Sequence, residues 1–138
     1  MPQVTGILET AIHVEDVPQS ARFYQELFGF EQIEGDDARF RALSVSGRQV
    51  LLLFRRGSTG EPLPTPGGVI PPHGGQGKLH FAFSVPAEDL ESWERRLSER
   101  GIAVESRVRW PRGGQSLYFR DPDGHLVELV TPGCWAIY

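Results

Sequence analysis

The chain has 138 residues, a net charge of −4, 39% hydrophobic and 23% charged residues, and a single cysteine, Cys134. That length buries a core without staples, and the acidic balance excludes a phosphate-backbone binder, whose affinity comes from clustered Lys and Arg. One cysteine makes neither an internal disulfide nor a Cys-rich zinc site. No apolar run behind a basic start marks a signal peptide, and no stretch approaches the ~20 apolar residues of a bilayer span, so the expectation is a cytoplasmic protein with no membrane or nucleic-acid partner.

Ile7–Val14 reads as a strand, with β-branched Ile7, Ile12 and Val14. Asp16-Val17-Pro18 reads as a helix start, with Asp16 as the cap and Pro18 in the first turn. Ala21, Phe23, Tyr24, Leu27 and Phe28 form an apolar stripe at helical spacing, and Gly29 suits the C-terminal end. Three strands follow, at Phe30–Ile33, Phe40–Val45 and Gln49–Phe54, with Ser46-Gly47-Arg48 as the turn between the last two.

Residues Gly57–Gly77 hold five prolines and seven glycines with little periodicity. They read as a long loop or linker, of the kind that is functional or mobile inside a compact domain. The pattern then restarts. Leu79–Val85 alternates like a strand, and Pro86-Ala87-Glu88-Asp89 opens a helix reaching about Arg100 and ending at Gly101. Strands are expected at Ile102–Arg107, Gln115–Arg120 and His125–Val130, with Asp121-Pro122-Asp123-Gly124 as the turn joining the last two.

The two halves share the order strand, helix, three strands. Leu8–Val14 lies over Leu79–Val85 at one constant offset, with Leu, Ala and Val matching. Two such modules, about 7–54 and 79–130, each with one apolar sheet face, would bury those faces together in one domain spanning 1–138.

Three stretches carry a resemblance to a known family. They are Val14–Tyr24 with Leu27-Phe28-Gly29-Phe30 behind it, Leu79-His80-Phe81-Ala82-Phe83-Ser84-Val85, and Ser116-Leu117-Tyr118-Phe119-Arg120-Asp121-Pro122-Asp123-Gly124-His125-Leu126-Val127-Glu128-Leu129. In these the chain resembles the vicinal oxygen chelate superfamily. That group comprises glyoxalase I, type I extradiol dioxygenases, fosfomycin-resistance enzymes, methylmalonyl-CoA epimerase and bleomycin-binding proteins. The resemblance implies an α+β fold of two βαβββ modules forming a barrel-like sheet around one small-molecule pocket, and a homodimer. It implies metal ligands on the first and last strand of each module. Carried over, these are His80 and Glu128 in the second module and Glu9 in the first, where most metal-bearing members have His or Gln. The fourth place, on Gln49–Phe54, is filled by Val50, Leu51, Leu52 and Leu53. Tyr118 takes the place of a pocket tyrosine that donates its hydroxyl to a bound oxygen, the catalytic assignment here.

The residues themselves agree in part. Glu128 is the lone charge in an apolar run, and such an acid needs a partner; an arginine or a metal would serve. His80 is either a ligand or a satisfied core histidine. Glu9, Ala11 and His13 alternate on one strand face, but His13 lies ~13 Å beyond Glu9, too far to share its ion. His13 is therefore read as a pocket residue that contacts substrate. Arg107, Arg109, Arg112 and Arg120 form a basic stretch, of which Arg109 beside Trp110 is the choice for contact with an anionic substrate.

The leading expectation is an enzyme holding a divalent ion (Mn, Fe, Ni, Zn or Mg) and acting on a small molecule with vicinal oxygens as lyase, isomerase, transferase or dioxygenase. The alternative is a metal-free binder of the bleomycin-resistance type, with Trp110, Trp135 and Tyr138 as stacking surfaces.

Overall fold

The structure is a computed structural model that describes residues 1–36 and 38–138. It divides into two compact units, Met1–Gln76 and Gly77–Tyr138.

The first unit runs β1 (Glu9–Val14), α1 (Val17–Phe28), β2 (Glu31–Asp36), β3 (Phe40–Val45) and β4 (Gln49–Arg55), then a hairpin of β5 (Leu63–Thr65) and β6 (Gly68–Ile70). The main sheet has the order β1-β4-β3-β2, with β1 parallel to β4 and the other pairs antiparallel. The Asp16 carboxylate accepts the Gln19 amide at 2.9 Å, which satisfies one of the orphan donors of the α1 N-terminus. Gly29, at φ 74°, ends α1 in the left-handed conformation that L-residues with a Cβ avoid. The buried stripe of α1 (Val17, Ser20, Ala21, Tyr24, Leu27) covers the sheet face that carries Leu43, Leu51 and Leu53. Ser46 and Gly47 both have positive φ in the three-residue connection between β3 and β4, where the Arg48 amide donates to the Val45 carbonyl at 3.1 Å.

The second unit repeats the plan: β7 (His80–Ser84), a 3₁₀ turn (Ala87–Asp89) leading into α2 (Leu90–Glu99), then β8 (Ser106–Arg109), β9 (Gln115–Arg120) and β10 (Leu126–Val130). Its sheet is ordered β7-β10-β9-β8, again with the first strand of the module parallel to the last. Leu117, Phe119, Val127 and Leu129 are buried in this sheet, as are Leu90 and Leu97 of α2. The α+β class and the two βαβββ modules are thus as the sequence implies. Among the described residues no helix is long and apolar enough to cross a membrane.

Several bounds differ from expectation, three of them for a local reason. β1 starts at Glu9, because exposed Ile7 and Leu8 precede the sheet. β8 starts at Ser106 rather than Ile102, because the Ile102 amide closes the end of α2 by donating to the Leu97 carbonyl at 2.9 Å. The Pro/Gly-rich loop is partly ordered: β5 and β6 pair within it. Proline is admissible there because a two-stranded ribbon is all edge.

Candidate functional site

In the second unit the period-2 alternation of β9 puts Ser116 and Tyr118 on one face, and the antiparallel register sets Tyr118 opposite Glu128 and Ser116 opposite Val130. Ser116 is therefore the diagonal neighbour of Glu128. On the other side of β10, the parallel register sets Ala82 beside Glu128 and His80 beside Leu126. Three strands thus converge His80, Ser116, Tyr118 and Glu128 on one face.

Glu128 is only 6% exposed. Its Oε2 lies 3.3 Å from His80 Nε2, and its Oε1 accepts a 2.5 Å hydrogen bond from the Ser116 hydroxyl. The Ser116 oxygen accepts in turn from the indole N–H of Trp110 at 2.8 Å. His80 Nδ1 is 3.0 Å from the Leu126 carbonyl oxygen. A carbonyl can only accept, so Nδ1 carries a proton and donates. In the neutral ring Nε2 then presents its lone pair to a carboxylate oxygen. Two acceptors face each other, and a second proton or a cation between them is what satisfies both. This donor set, one imidazole nitrogen and one carboxylate oxygen with the imidazole oriented by a carbonyl, fits a divalent cation.

The Tyr118 ring sits 6.1 Å from that of His80. Burial, and then hydrogen bonding to Glu128 and its charge, hold the Tyr118 hydroxyl above the ordinary phenol value of 10.0, so it keeps its proton at neutral pH. The Cys134 thiol is likewise pushed up, by burial first and by the Glu128 charge second. Beyond β10 the chain folds back: the Tyr138 hydroxyl donates to the Val130 carbonyl at 3.1 Å, and Gly133 abuts Gly114 so closely that a Cβ on either would overlap backbone.

The other expected site residues lie elsewhere. Glu9 opens β1 in the first unit, exposed and paired in register with Val50. Among the described residues no three His, Cys, Asp or Glu side chains form one metal-binding group, so the pair His80–Glu128 is the set drawn together inside the second unit. Arg109 follows Val108 onto the opposite face of β8. It lines a groove of about 610 Å³ with Arg107, Glu88, Glu91 and Glu94, and Arg107 is ion-paired with Glu94 there. Trp110 serves Ser116 rather than presenting a free indole N–H. His125 is fully buried and accepts the Leu79 amide at 2.9 Å through Nδ1.

His13 is buried in the first unit. Its ring stacks on Phe54 at 5.8 Å, meets His73 edge-on at 5.6 Å, and has Nε2 3.4 Å from the Thr59 hydroxyl oxygen. Thr59 and His73 lock the ends of the Pro/Gly-rich segment together. The Thr59 hydroxyl donates to the His73 carbonyl at 2.6 Å and the His73 amide donates to the Thr59 carbonyl at 2.9 Å.

Ser116 escapes a reading from sequence, because a serine has no distinguishing pattern. Its only signal is its place two residues before Tyr118, on the same face of the same strand.

The family model of the Glyoxalase/Bleomycin resistance protein/Dioxygenase superfamily matches residues 6–129. The metallothiol transferase FosB of Staphylococcus epidermidis is 30% identical over 130 residues, which cover 94% of this chain and 83% of that protein. That of Bacillus licheniformis is 47% identical over 53 residues, a match confined to 38% of this chain and 34% of the relative. Among solved structures, a lactoylglutathione lyase from Agrobacterium tumefaciens superposes with a TM-score of 0.88 at 32% identity, covering 98% of this chain and 99% of the other. With the repeated βαβββ order and the family model agreeing over nearly its whole length, the chain belongs to the Glyoxalase/Bleomycin resistance protein/Dioxygenase superfamily.

Proposed function

We propose that the chain is a divalent-metal enzyme acting on a small molecule with neighbouring oxygens, its two modules forming one functional domain. The observation that carries this reading is the His80–Glu128 pair, an imidazole nitrogen and a carboxylate oxygen 3.3 Å apart. His80 binds through Nε2 because Nδ1 is committed to Leu126, and Glu128 binds through the oxygen beside it. A bound cation supplies Lewis-acid stabilisation of oxygen charge that develops on the substrate. Tyr118, protonated at neutral pH, donates its hydroxyl to a substrate oxygen, and Trp110 stands at the site through its bond to Ser116. Similarity to metallothiol transferases favours thiol transfer as the reaction class. The working unit in this reading is a homodimer, which a monomer mass in solution would overturn.

Elemental analysis of purified protein after incubation with Mn²⁺, Zn²⁺ or Ni²⁺ tests it, with Glu128→Ala and His80→Ala alongside. About one ion per chain, lost in both variants, is the expected result. No uptake by the unsubstituted protein would sink the reading and leave a metal-free ligand binder. The specific observation on that side is β4, which offers Val50, Leu51, Leu52 and Leu53 where a fourth ligand would stand.

A further inference from the structure

We infer that Ser116, backed by Trp110, is the positioning residue for Glu128, fixing which carboxylate oxygen is presented beside His80. This rests on the reading of His80 and Glu128 as metal ligands.

The direction of every bond in the chain follows from the atoms. An indole N–H only donates, so the Ser116 oxygen accepts from Trp110. A carboxylate only accepts, so the single hydroxyl proton of Ser116 goes to Glu128 Oε1. The sequence Trp110, Ser116, Glu128 is thus one-way. Donation from the indole polarises the hydroxyl and strengthens the bond it makes to the carboxylate. Ser116 is 1% exposed, so water does not compete for either bond.

The anchor is also held. Trp110 closes the β8–β9 connection, its amide donating to the Gly114 carbonyl at 2.8 Å and its carbonyl accepting from the Gly113 amide at 2.9 Å. Gly114 is itself pressed against Gly133, with no room for a Cβ. The backbone that carries the indole is therefore fixed by this turn. With Oε1 taken by Ser116, Oε2 is the oxygen left facing His80 Nε2. Without the serine hydroxyl the carboxylate loses the bond that fixes Oε1 and has only Tyr118 and His80 to orient its last side-chain torsion, which is broad and weakly preferred. Both oxygens then share the site, and the ordering that was built in must be supplied when the cation binds.

Partners of this kind change metal affinity by about 10–100-fold when removed. The test is calorimetric titration of Mn²⁺ into the full chain and into Ser116→Ala, Ser116→Thr, Trp110→Phe and Glu128→Ala, with melting curves of each metal-free protein. The expected order is no binding for Glu128→Ala and affinity reduced about 10–100-fold for Ser116→Ala. Trp110→Phe should show a smaller loss, and Ser116→Thr, which keeps a hydroxyl, affinity close to unsubstituted. The rescue by threonine separates positioning from a mere packing role, since both substitutions disturb the packing. If Ser116→Ala does not fold, Trp110→Phe carries the test, because it deletes the indole N–H and keeps an aromatic, though smaller, ring. Unsubstituted protein that binds Mn²⁺ while Ser116→Ala or Trp110→Phe binds it equally tightly overturns the role of Ser116 and leaves the metal reading standing. Unsubstituted protein that binds no ion overturns both.

Discussion

His80 and Glu128 stand on the neighbouring parallel strands β7 and β10, with Nε2 and Oε2 3.3 Å apart and no hydrogen between them when His80 is neutral. With the ring neutral such a contact is unfavourable, and a proton or a cation between the two atoms makes it favourable. Glu128→Gln removes the conflict. The amide oxygen still accepts from Ser116 and the amide N–H donates to His80. At pH 8.5 without metal, this variant should melt a few °C higher, on the order of 1 kcal/mol. Added Mn²⁺ should raise the melting temperature of the unsubstituted protein and leave the variant unchanged. A Glu128→Gln protein that melts lower without metal would show that the pair is already satisfied.

The turn before β10 has a purely structural task. Asp121 Oδ1 accepts the amides of Asp123 and His125 at 3.0 and 2.9 Å, and His125 Nδ1 accepts the amide of Leu79, the residue before His80. His125 thereby ties the start of β7 to the start of β10. His125→Ala should cost about 1–3 kcal/mol for the stranded Leu79 N–H, with a further cost for the cavity. Urea unfolding measures this. Loss of Mn²⁺ affinity should accompany it, because the strand that carries His80 loses its anchor.

Much of this architecture is legible from the chain. Asp16 and Gly29 bracket α1 because one supplies a capping oxygen and the other a left-handed backbone, needs that are local and therefore readable. Glu128 stands out because it is the one charge in an apolar strand. The β5–β6 hairpin is not legible, because prolines signal a break while the pairing that tolerates Pro64 depends on its edge position opposite Val69. Ile102 and Val104 attract a strand assignment that belongs four residues later, because apolar residues also close helix ends. Ser116 requires the β9–β10 register, which no single sequence displays.

His13 and Gly75 make a second local prediction. A Cβ on Gly75 would lie 2.9 Å from His13 Nδ1, closer than side chains tolerate. The His13 ring has no easy retreat, being stacked on Phe54 and edged by His73. Gly75→Ala should therefore displace the Pro/Gly-rich segment, at a cost of about 1–3 kcal/mol. The His73 amide, held by the Thr59 carbonyl, reports the displacement. Its hydrogen exchange should quicken in the variant, while amides of α1 exchange as before. Unchanged exchange at His73 would mean that the segment accommodates the methyl group.

Cys134 is a probe of Glu128 that requires no metal. Burial and the Glu128 charge both disfavour the thiolate, so the thiol holds its proton above the ordinary value of 9.0. The sign for reactivity follows directly. Only the thiolate is alkylated, so the rate of reaction with iodoacetamide should be low at neutral pH and should rise with pH to a midpoint above the ordinary thiol value of 9.0. Glu128→Gln deletes the charge but not the burial. It should move the midpoint of the rate profile downward, toward the ordinary value without reaching it, and raise the alkylation rate at pH 8. A cation on Glu128 neutralises the same charge and should shift the profile in the same direction in the unsubstituted protein alone. A midpoint that ignores both the substitution and the ion would place Cys134 outside the reach of the Glu128 carboxylate.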